Sequence, residues 1–355
     1  VTTISAFTSV PVIDISGLRS IDSEERAQVV DALRTAARDV GFFYIGGTGL
    51  DRTLFEDLLD MSKRFFALPT DEKMRYYIGL SKNHRGYVPT GEEGFDNGAA
   101  PDLKEAFDTA LEVPADDPDH LGGNPLLGPN VWPEIDGFAE VVSSYYRAID
   151  RLGRELLSAF AIGLGQDPDT FSRHATKPVS QLRMIHYWPD DNAVDAVGIG
   201  AHTDMECFTL LKPTAPGLEV MNGAGEWIDV PPIPDTLVVN IGDMLELWTN
   251  GQFVATTHRV RKVTDERYSF PFFFALDYDT VVEPLPEFAD GGNHEKVVFG
   301  DHLYSMTMQS FHYLRERRRR GEIELPSGSY ELDPDNPVPL FGQGARHTET
   351  AGVPS

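Results

Sequence analysis

Three residues of this chain have types and spacing that admit metal chemistry: His202, Asp204 and His258. They sit in the stretches AHTDMECFTLLKP and VATTHRV. Side chains alternate along a strand, so a strand over His202–Leu211 puts the His202 imidazole and the Asp204 carboxylate on one face and turns Thr203 away. His258 follows after 53 intervening residues and must arrive from another strand. LELWTNGQFVATTH supplies one, read as a hairpin with strands over Met244–Trp248 and Phe253–His258. Asn250-Gly251 is its turn, because both residues tolerate positive φ. Two imidazoles and a carboxylate on one side of a metal leave the opposite face open to exchangeable ligands, an arrangement suited to non-haem Fe(II). A His-x-Asp alone is weak, since the pattern is frequent by chance and a strand histidine is commonly a hydrogen-bonded core residue.

A second constellation lies in ERYSFPFFFAL, where Arg267 and Ser269 again share one strand face. A guanidinium fork grips a carboxylate through two parallel hydrogen bonds, and a hydroxyl adds a third. A surface arginine beside Asp265 and Glu266 is the competing reading. It is disfavoured because Arg267 leads straight into an apolar run that must be buried. Cys207 has the opposite strand parity to His202 and Asp204 and reads as a packing residue, not a ligand. As the single cysteine it excludes an internal disulfide and fits a reducing cytoplasm.

The elements that must position these residues follow from periodicity. VPVIDI (10–15) reads as a short strand that enters the fold and Gly41–Ile45 as a buried strand, with a helix between them whose start is marked by Asp22 and Glu25. A second helix spans Arg52–Phe66, and a short third begins at Pro69-Thr70-Asp71. Residues 81–101 read as a glycine- and proline-rich loop. The longest helical stripe runs from Phe138 to about Leu164 and reads as the backbone on which the core rests. Short strands then occupy Gln181–Tyr187, His202–Leu211, Gly217–Val220, Glu226–Val230, Thr236–Ile241 and Tyr268–Leu276, besides the two of the hairpin, which indicates a double-sheet jelly roll. Asp301–Arg320 reads as a helix ending in RERRRR and stopped by Gly321, with the arginines at the end that favours cations. The tail from Leu325 to Ser355 is rich in Pro, Gly and Ser and is expected to be partly disordered or draped over the body.

Composition sets bounds. With 355 residues and 41% hydrophobic content the chain can bury a large core. A formal charge of −26 argues against nucleic acid or an anionic membrane as partner, and reads the RERRRR run as a solvated helix end. No basic segment precedes an apolar run near the first residue, so no secretory leader is expected, and no apolar stretch approaches membrane-spanning length. Gly223-Ala224-Gly225 does not open a helix, so no dinucleotide site is expected.

The order HTDxxxxTLL, NIGDMLELWTNGQF, THRV and ERYSFPFF, preceded by PVIDIS, GFFYIGG, RGYVPTGEE and LRMIHYWP, resembles the isopenicillin N synthase-like family of Fe(II)/2-oxoglutarate-dependent oxygenases. The resemblance runs to about Leu276. It implies a mainly β fold with flanking helices: a double-stranded β-helix core over 176–280, an N-terminal α/β region of the same fold over 1–175, and a C-terminal helix and tail over 281–355. It implies a strand over Leu103–Val113, where pattern alone leaves helix and strand open. It further implies that His202, Asp204 and His258 bind Fe(II), and that Arg267 and Ser269, with Tyr187 helping, hold the distal carboxylate of 2-oxoglutarate. The activity implied is O2-dependent oxidation of a C–H bond of a small molecule, with release of succinate and CO2.

Two other readings stand beside this one: an oxidase of the isopenicillin N synthase type that works without 2-oxoglutarate, and a non-catalytic binding barrel. A structural metal site would tend to be closed by a fourth protein ligand. The resemblance places the 81–101 loop near the barrel mouth, making Arg85 and Tyr87 candidates for substrate contact or, equally, loop anchors. Glu206 shares strand parity with the metal residues. It either faces a cationic or hydroxylated substrate or sits at the solvent edge, with the edge favoured. The expected setting is a cytoplasmic monomer or weak homo-oligomer.

Overall fold

The computed structural model describes residues 4–94, 104–189, 197–261, 264–289, 296–329 and 331. The first region contributes β1 (Val12–Asp14), β2 (Phe42–Gly46), β3 (Gly86–Val88) and β4 (Lys104–Ala110), with α1 (Ser23–Asp39), α2 (Arg52–Phe66), α3 (Thr70–Met74), α4 (Pro118–Leu121) and α5 (Phe138–Gly163). The core adds β5 (Gln181–Tyr187), β6 (Val197–His202), β7 (Phe208–Pro213), β8 (Leu218–Met221), β9 (Trp227–Asp229), β10 (Leu237–Ile241), α6 (Asp243–Trp248), β11 (His258–Arg261) and β12 (Arg267–Phe274). The short strands β13 (Val281–Val282) and β14 (Val297–Val298) pair before α7 (Phe299–Ser310) and α8 (His312–Arg319).

Two sheets form the double-stranded β-helix. The major one runs β1-β2-β10-β7-β12-β5-β4-β3, and the minor one runs β6-β11-β8-β9. The strands of the first region thus extend the same sheet that carries the core. Alternation divides the major sheet cleanly. Leu182 and Met184 of β5, with Tyr268, Phe270, Phe272 and Phe274 of β12, pack outward into a core shared with α1, α2 and α5. Gln181, Arg183, Ile185 and Tyr187, with Arg267, Ser269, Pro271 and Phe273, turn inward and line a cavity toward the minor sheet.

The long helix α5 seats this arrangement. Phe160 meets Phe43, Phe208 and Phe253 edge-on at ring separations of 6.4, 5.6 and 5.5 Å. Gly153 permits the close approach of α5 to β12, because a Cβ there would stand 2.3 Å from the Phe274 ring. Phe274 is fully buried and stacked on Phe208 at 4.9 Å, so it has nowhere to move.

The structure corrects four expectations. The strand over His202–Leu211 is interrupted: β6 ends at His202 in the minor sheet, and β7 begins at Phe208 in the major one. Residues 203–207 carry the chain between the sheets, so strand parity does not apply to Asp204, Glu206 or Cys207. The hairpin is not formed. Met244–Trp248 lies within α6, and Asn250 and Gly251 adopt positive φ of 48° and 76° to end that helix, with Gly251 N–H donating to Glu246 O at 2.9 Å. A left-handed pair serves a helix C-cap as well as a hairpin turn, and the short apolar LELW cannot tell the two apart. The chain then regains strand geometry only at His258.

The helix over Asp301–Arg320 is two helices, broken at Phe311, whose extended backbone (φ −100°, ψ 130°) bridges Glu93. Within the 81–101 loop, β3 joins the edge of the major sheet, and residues 95–101 lie outside the described ones. Leu103 and the tail beyond 331 lie outside them too. Gly321 stops α8 at φ 69°, and Arg317 to Arg320 each meet a glutamate. Among the described residues no helix is long and apolar enough to cross a membrane.

Replacing an interior helical glycine by alanine ordinarily stabilises by about 1 kcal/mol. Gly153→Ala is expected to reverse that sign and destabilise by about 1–3 kcal/mol through overpacking against Phe274. Urea unfolding read by circular dichroism checks it, and a stabilised variant would refute the close-approach role.

Candidate active site

His202 closes β6 and His258 opens β11, and the two are direct partners across the antiparallel pair. Asp204 stands just past the end of β6, in the crossing between sheets. Its position is set from below by α6: Asp243 N–H donates to Asp204 O at 2.8 Å, Met244 N–H to Glu206 O at 3.2 Å and Gly242 N–H to Cys207 O at 2.9 Å. Gly242 is required there, since a Cβ would come within 2.2 Å of the Glu206 carbonyl oxygen and 3.0 Å of that of Asp204. Cys207 is fully buried in the outer core, as a packing residue.

The hydrogen bonds decide the imidazole tautomers. His202 Nδ1 lies 2.8 Å from Gly200 O and His258 Nδ1 lies 3.2 Å from Thr256 O. A carbonyl oxygen only accepts, so each Nδ1 carries a proton, and in the neutral ring Nε2 is the atom with the free lone pair. Those two Nε2 atoms stand 3.6 and 3.5 Å from Asp204 Oδ1. With both rings neutral, three electron-rich atoms crowded this way repel unless a cation sits among them, and a metal ion fits that place. Asp204 Oδ2 is held by the Asn240 amide at 2.7 Å and by the Thr209 hydroxyl, leaving Oδ1 to the histidines. Burial, then the neighbouring His258, brings His202 down to about 4, so it is neutral near pH 7. Burial opposes ionisation of Asp204, but His258, His202 and Thr209 outweigh it and hold the carboxyl below its usual range. Among the described residues, the ligand cluster comprises these three and no fourth.

The cavity beside this cluster measures about 180 Å3. At one end Arg267 is fully buried, its Nε donating to Ala215 O at 3.2 Å and its guanidinium lying over the Tyr187 ring at 4.7 Å. Both terminal nitrogens, Nη1 and Nη2, are buried without a hydrogen-bond partner. A buried fork with two orphaned donors costs stability unless a ligand fills it. Ser269, also lining the cavity, lies two residues on along the same strand face. The chemistry of a carboxylate fits this end, and the facing Leu211, Leu218 and Val260 would cover a short aliphatic chain.

At the other end Arg183 is matched by two carboxylates. Its Nε and Nη2 donate to the two oxygens of Asp108 at 2.8 Å, and its Nη1 to both oxygens of Glu93 at 2.9 Å. Lys104 stands 3.1 Å from Glu93. Burial works against ionisation of Glu93, but Arg183 and Lys104 overcome it and hold the carboxyl well below the usual range. Glu206 is 6% exposed and lines the cavity, which corrects the solvent-edge placement. Burial, then the adjacent Asp204 carboxylate, pushes it up to about 8.

Arg85 and Tyr87 are not brought to the cavity. Arg85 is buried, donating to the carbonyls of Asn83, His84 and Leu126 at 2.8, 3.0 and 2.7 Å. Tyr87 pairs with Phe107 on the outward face and donates to Glu105 at 2.7 Å. Both are anchors of the loop and the sheet edge, because alternation on β3 turns Tyr87 to the helices. Sequence reasoning missed Thr209 and Asn240, although both stand inside the HTDxxxxTLL and NIGD motifs. It also missed Gln181 and Arg183, which share strand parity with Tyr187.

Residues 10–135 match the N-terminal family of non-haem dioxygenases in morphine synthesis, and residues 178–276 match the 2OG-Fe(II) oxygenase superfamily. The chain belongs to the Fe(II)/2-oxoglutarate oxygenases, whose members use Fe(II), 2-oxoglutarate and O2. It is 35% identical over 331 residues to homoarginine-6-hydroxylase 2-ODD-233 of Oryza sativa subsp. japonica, covering 86% of this chain and 99% of the relative. It is 35% identical to the 2-oxoglutarate-Fe(II) type oxidoreductase hxnY of Emericella nidulans, covering 81% of this chain and 86% of that one. Among solved structures, a full-length Neurospora crassa protein in complex with alpha-KG superposes with a TM-score of 0.72 at 26% identity, covering 89% of this chain and 99% of that one. A 2OG-Fe(II) oxygenase family protein from Caulobacter crescentus does so with a TM-score of 0.71 at 31% identity, covering 88% and 99%. These relatives do not favour the 2-oxoglutarate-independent oxidase or the non-catalytic barrel.

Thr209→Val removes one of the two groups that orient Asp204 while keeping the side chain's shape. It is expected to lower Fe(II) affinity roughly ten- to hundredfold, as loss of an outer-shell partner commonly does. Anaerobic Fe(II) titration checks this, and an unchanged affinity would count against the orienting role.

Proposed function

We propose that His202, Asp204 and His258 hold Fe(II), and that Arg267, Ser269 and Tyr187 hold the distal carboxylate of 2-oxoglutarate, in an enzyme that oxidises a C–H bond of a small molecule. The observation that carries the reading is the pair of orphaned donors on fully buried Arg267, in the same cavity as three convergent lone-pair atoms. When bound, Fe(II), 2-oxoglutarate and O2 supply the oxidation: the co-substrate becomes succinate and CO2, and in hydroxylation one oxygen atom enters the C–H bond and the other enters succinate.

The chain's own residues do the positioning. Thr209 and Asn240 present Asp204 Oδ1 to the metal. Gly200 O and Thr256 O fix the two imidazoles with Nε2 forward. Tyr187 supports the guanidinium from one face, so the fork meets a carboxylate without reorganisation. Leu211, Leu218 and Val260 keep water from the aliphatic part of the co-substrate. The setting proposed is a cytoplasmic monomer or weak homo-oligomer that engages neither nucleic acid nor membrane, supported by the single cysteine and a charge of −26.

Arg267→Ala leaves a buried carboxylate unpaired and is expected to cost about 3–5 kcal/mol, roughly a hundred- to several-thousand-fold in 2-oxoglutarate affinity. Ser269→Ala removes a hydrogen bond to a charged group, worth about 1.5–3 kcal/mol. Fe(II) affinity is expected to survive both changes. Anaerobic titration of the iron-loaded protein with 2-oxoglutarate measures the loss, and equal amounts of succinate and oxidised product check the stoichiometry. Wild-type affinity in Arg267→Ala would refute the carboxylate clamp.

A further inference from the structure

The charges around the cavity cancel almost everywhere. Arg183 and Lys104 are matched by Asp108 and Glu93 through the contacts already given, two cations against two carboxylates. On the reading above, a divalent iron, Asp204, the doubly anionic co-substrate and Arg267 also sum to zero. Glu206 is left over. Its side chain is nine-tenths buried and lines the cavity; the carboxyl accepts from the main-chain N–H groups of Met205 and Glu206 and has no ion-pair partner among the described residues. Asp243 and Glu246, buried behind it on α6 and outside the cavity lining, are carboxyls as well and supply no cation.

The main chain ties position 206 to α6, its carbonyl receiving Met244 N–H. A carboxyl buried with no cation beside it ionises only at a cost in free energy, and a side chain of similar size and no charge would fill the space without that cost. The cost is recovered only when something in the cavity supplies the missing positive charge. An anionic substrate finds no counter-charge at this end, because the fork of Arg183 is spent on Asp108 and Glu93.

We infer that Glu206 is a specificity-determining residue that selects a substrate carrying a cationic nitrogen, an amine or a guanidinium, and anchors it in the cavity beside Asp204. The inference rests on the oxygenase reading. It assigns to the non-reacting part of the substrate the binding energy that places the target carbon at the metal.

The test uses the full chain under anaerobic conditions. The protein is first titrated with Fe(II) and 2-oxoglutarate, then calorimetrically with pentylguanidinium, pentylamine, pentanoate and pentan-1-ol. At least one cationic probe is expected to bind about tenfold or more tighter than pentanoate and pentan-1-ol, as a charged hydrogen bond in a buried site requires. Glu206→Gln is expected to abolish that margin while the 2-oxoglutarate dissociation constant stays within about twofold. Glu206→Asp, which keeps the charge, is expected to retain part of it. Equal binding of the four probes, no binding by any of them, or tighter binding of pentanoate overturns the proposal on the wild-type protein alone. A folded Gln variant that keeps the cation preference overturns it as well. Failure of 2-oxoglutarate to bind in the first titration would instead overturn the oxygenase reading, and this proposal with it.

Discussion

Between His202 and Phe208 the chain leaves the minor sheet and enters the major one, and the site depends on how that crossing is tied down. Its carbonyls, at Asp204, Glu206 and Cys207, are taken by the first amides of α6 and the glycine before it. Buried backbone groups need partners, and a crossing between sheets has no ladder to supply them. The short helix does so, and Gly242 lets it come close enough. Asp204 is thereby set beyond a strand end, where its carboxylate can face two histidines that are themselves cross-strand neighbours.

The major sheet separates two kinds of burial. Its outward face is aromatic and aliphatic and is closed by α5, with Gly153 making room for Phe274. The cavity between its inward face and the minor sheet carries charge, which is tolerable only in matched sets: Arg183 with Asp108 and Glu93 on the major-sheet side, and His202 and His258 of the minor sheet around Asp204. Among the described residues that line the cavity, Arg267 and Glu206 have no ion-pair partner, one a guanidinium at the far end and the other a carboxyl beside His202 and Asp204. Buried charge without a partner is where a protein spends stability on binding, so the mismatches outline what the cavity is built to receive.

The roof of the cavity shows how distant segments are coupled. Phe311 breaks the C-terminal helix so that it can bridge Glu93, while Gly94 N–H reaches Ser310 O and His312 N–H reaches Glu92 O. Glu93 in turn receives Arg183 and Lys104. The helix break, which interrupts a good helical pattern, is thus held by pairing to the loop that also supplies a charge to the inward face.

Chemical type and strand parity were legible in the residues themselves. The Arg-x-Ser pair, the α5 stripe and the β5 and β12 strands follow from local periodicity, because each needs only its neighbours in the chain. Parity misled where the chain changes sheets, since residues 203–207 belong to neither ladder. Asn250-Gly251 misled because positive φ ends a helix as readily as it turns a hairpin. Tertiary structure alone decided that Arg85 and Tyr87 serve as anchors, that Thr209 and Asn240 orient Asp204, and that Glu206 is buried. Each of those outcomes depends on which distant strand or helix lies opposite. A sequence carries a side chain's chemistry, but its partner is set by packing across tens to hundreds of residues, and the partner determines whether a charge is spent or left to bind.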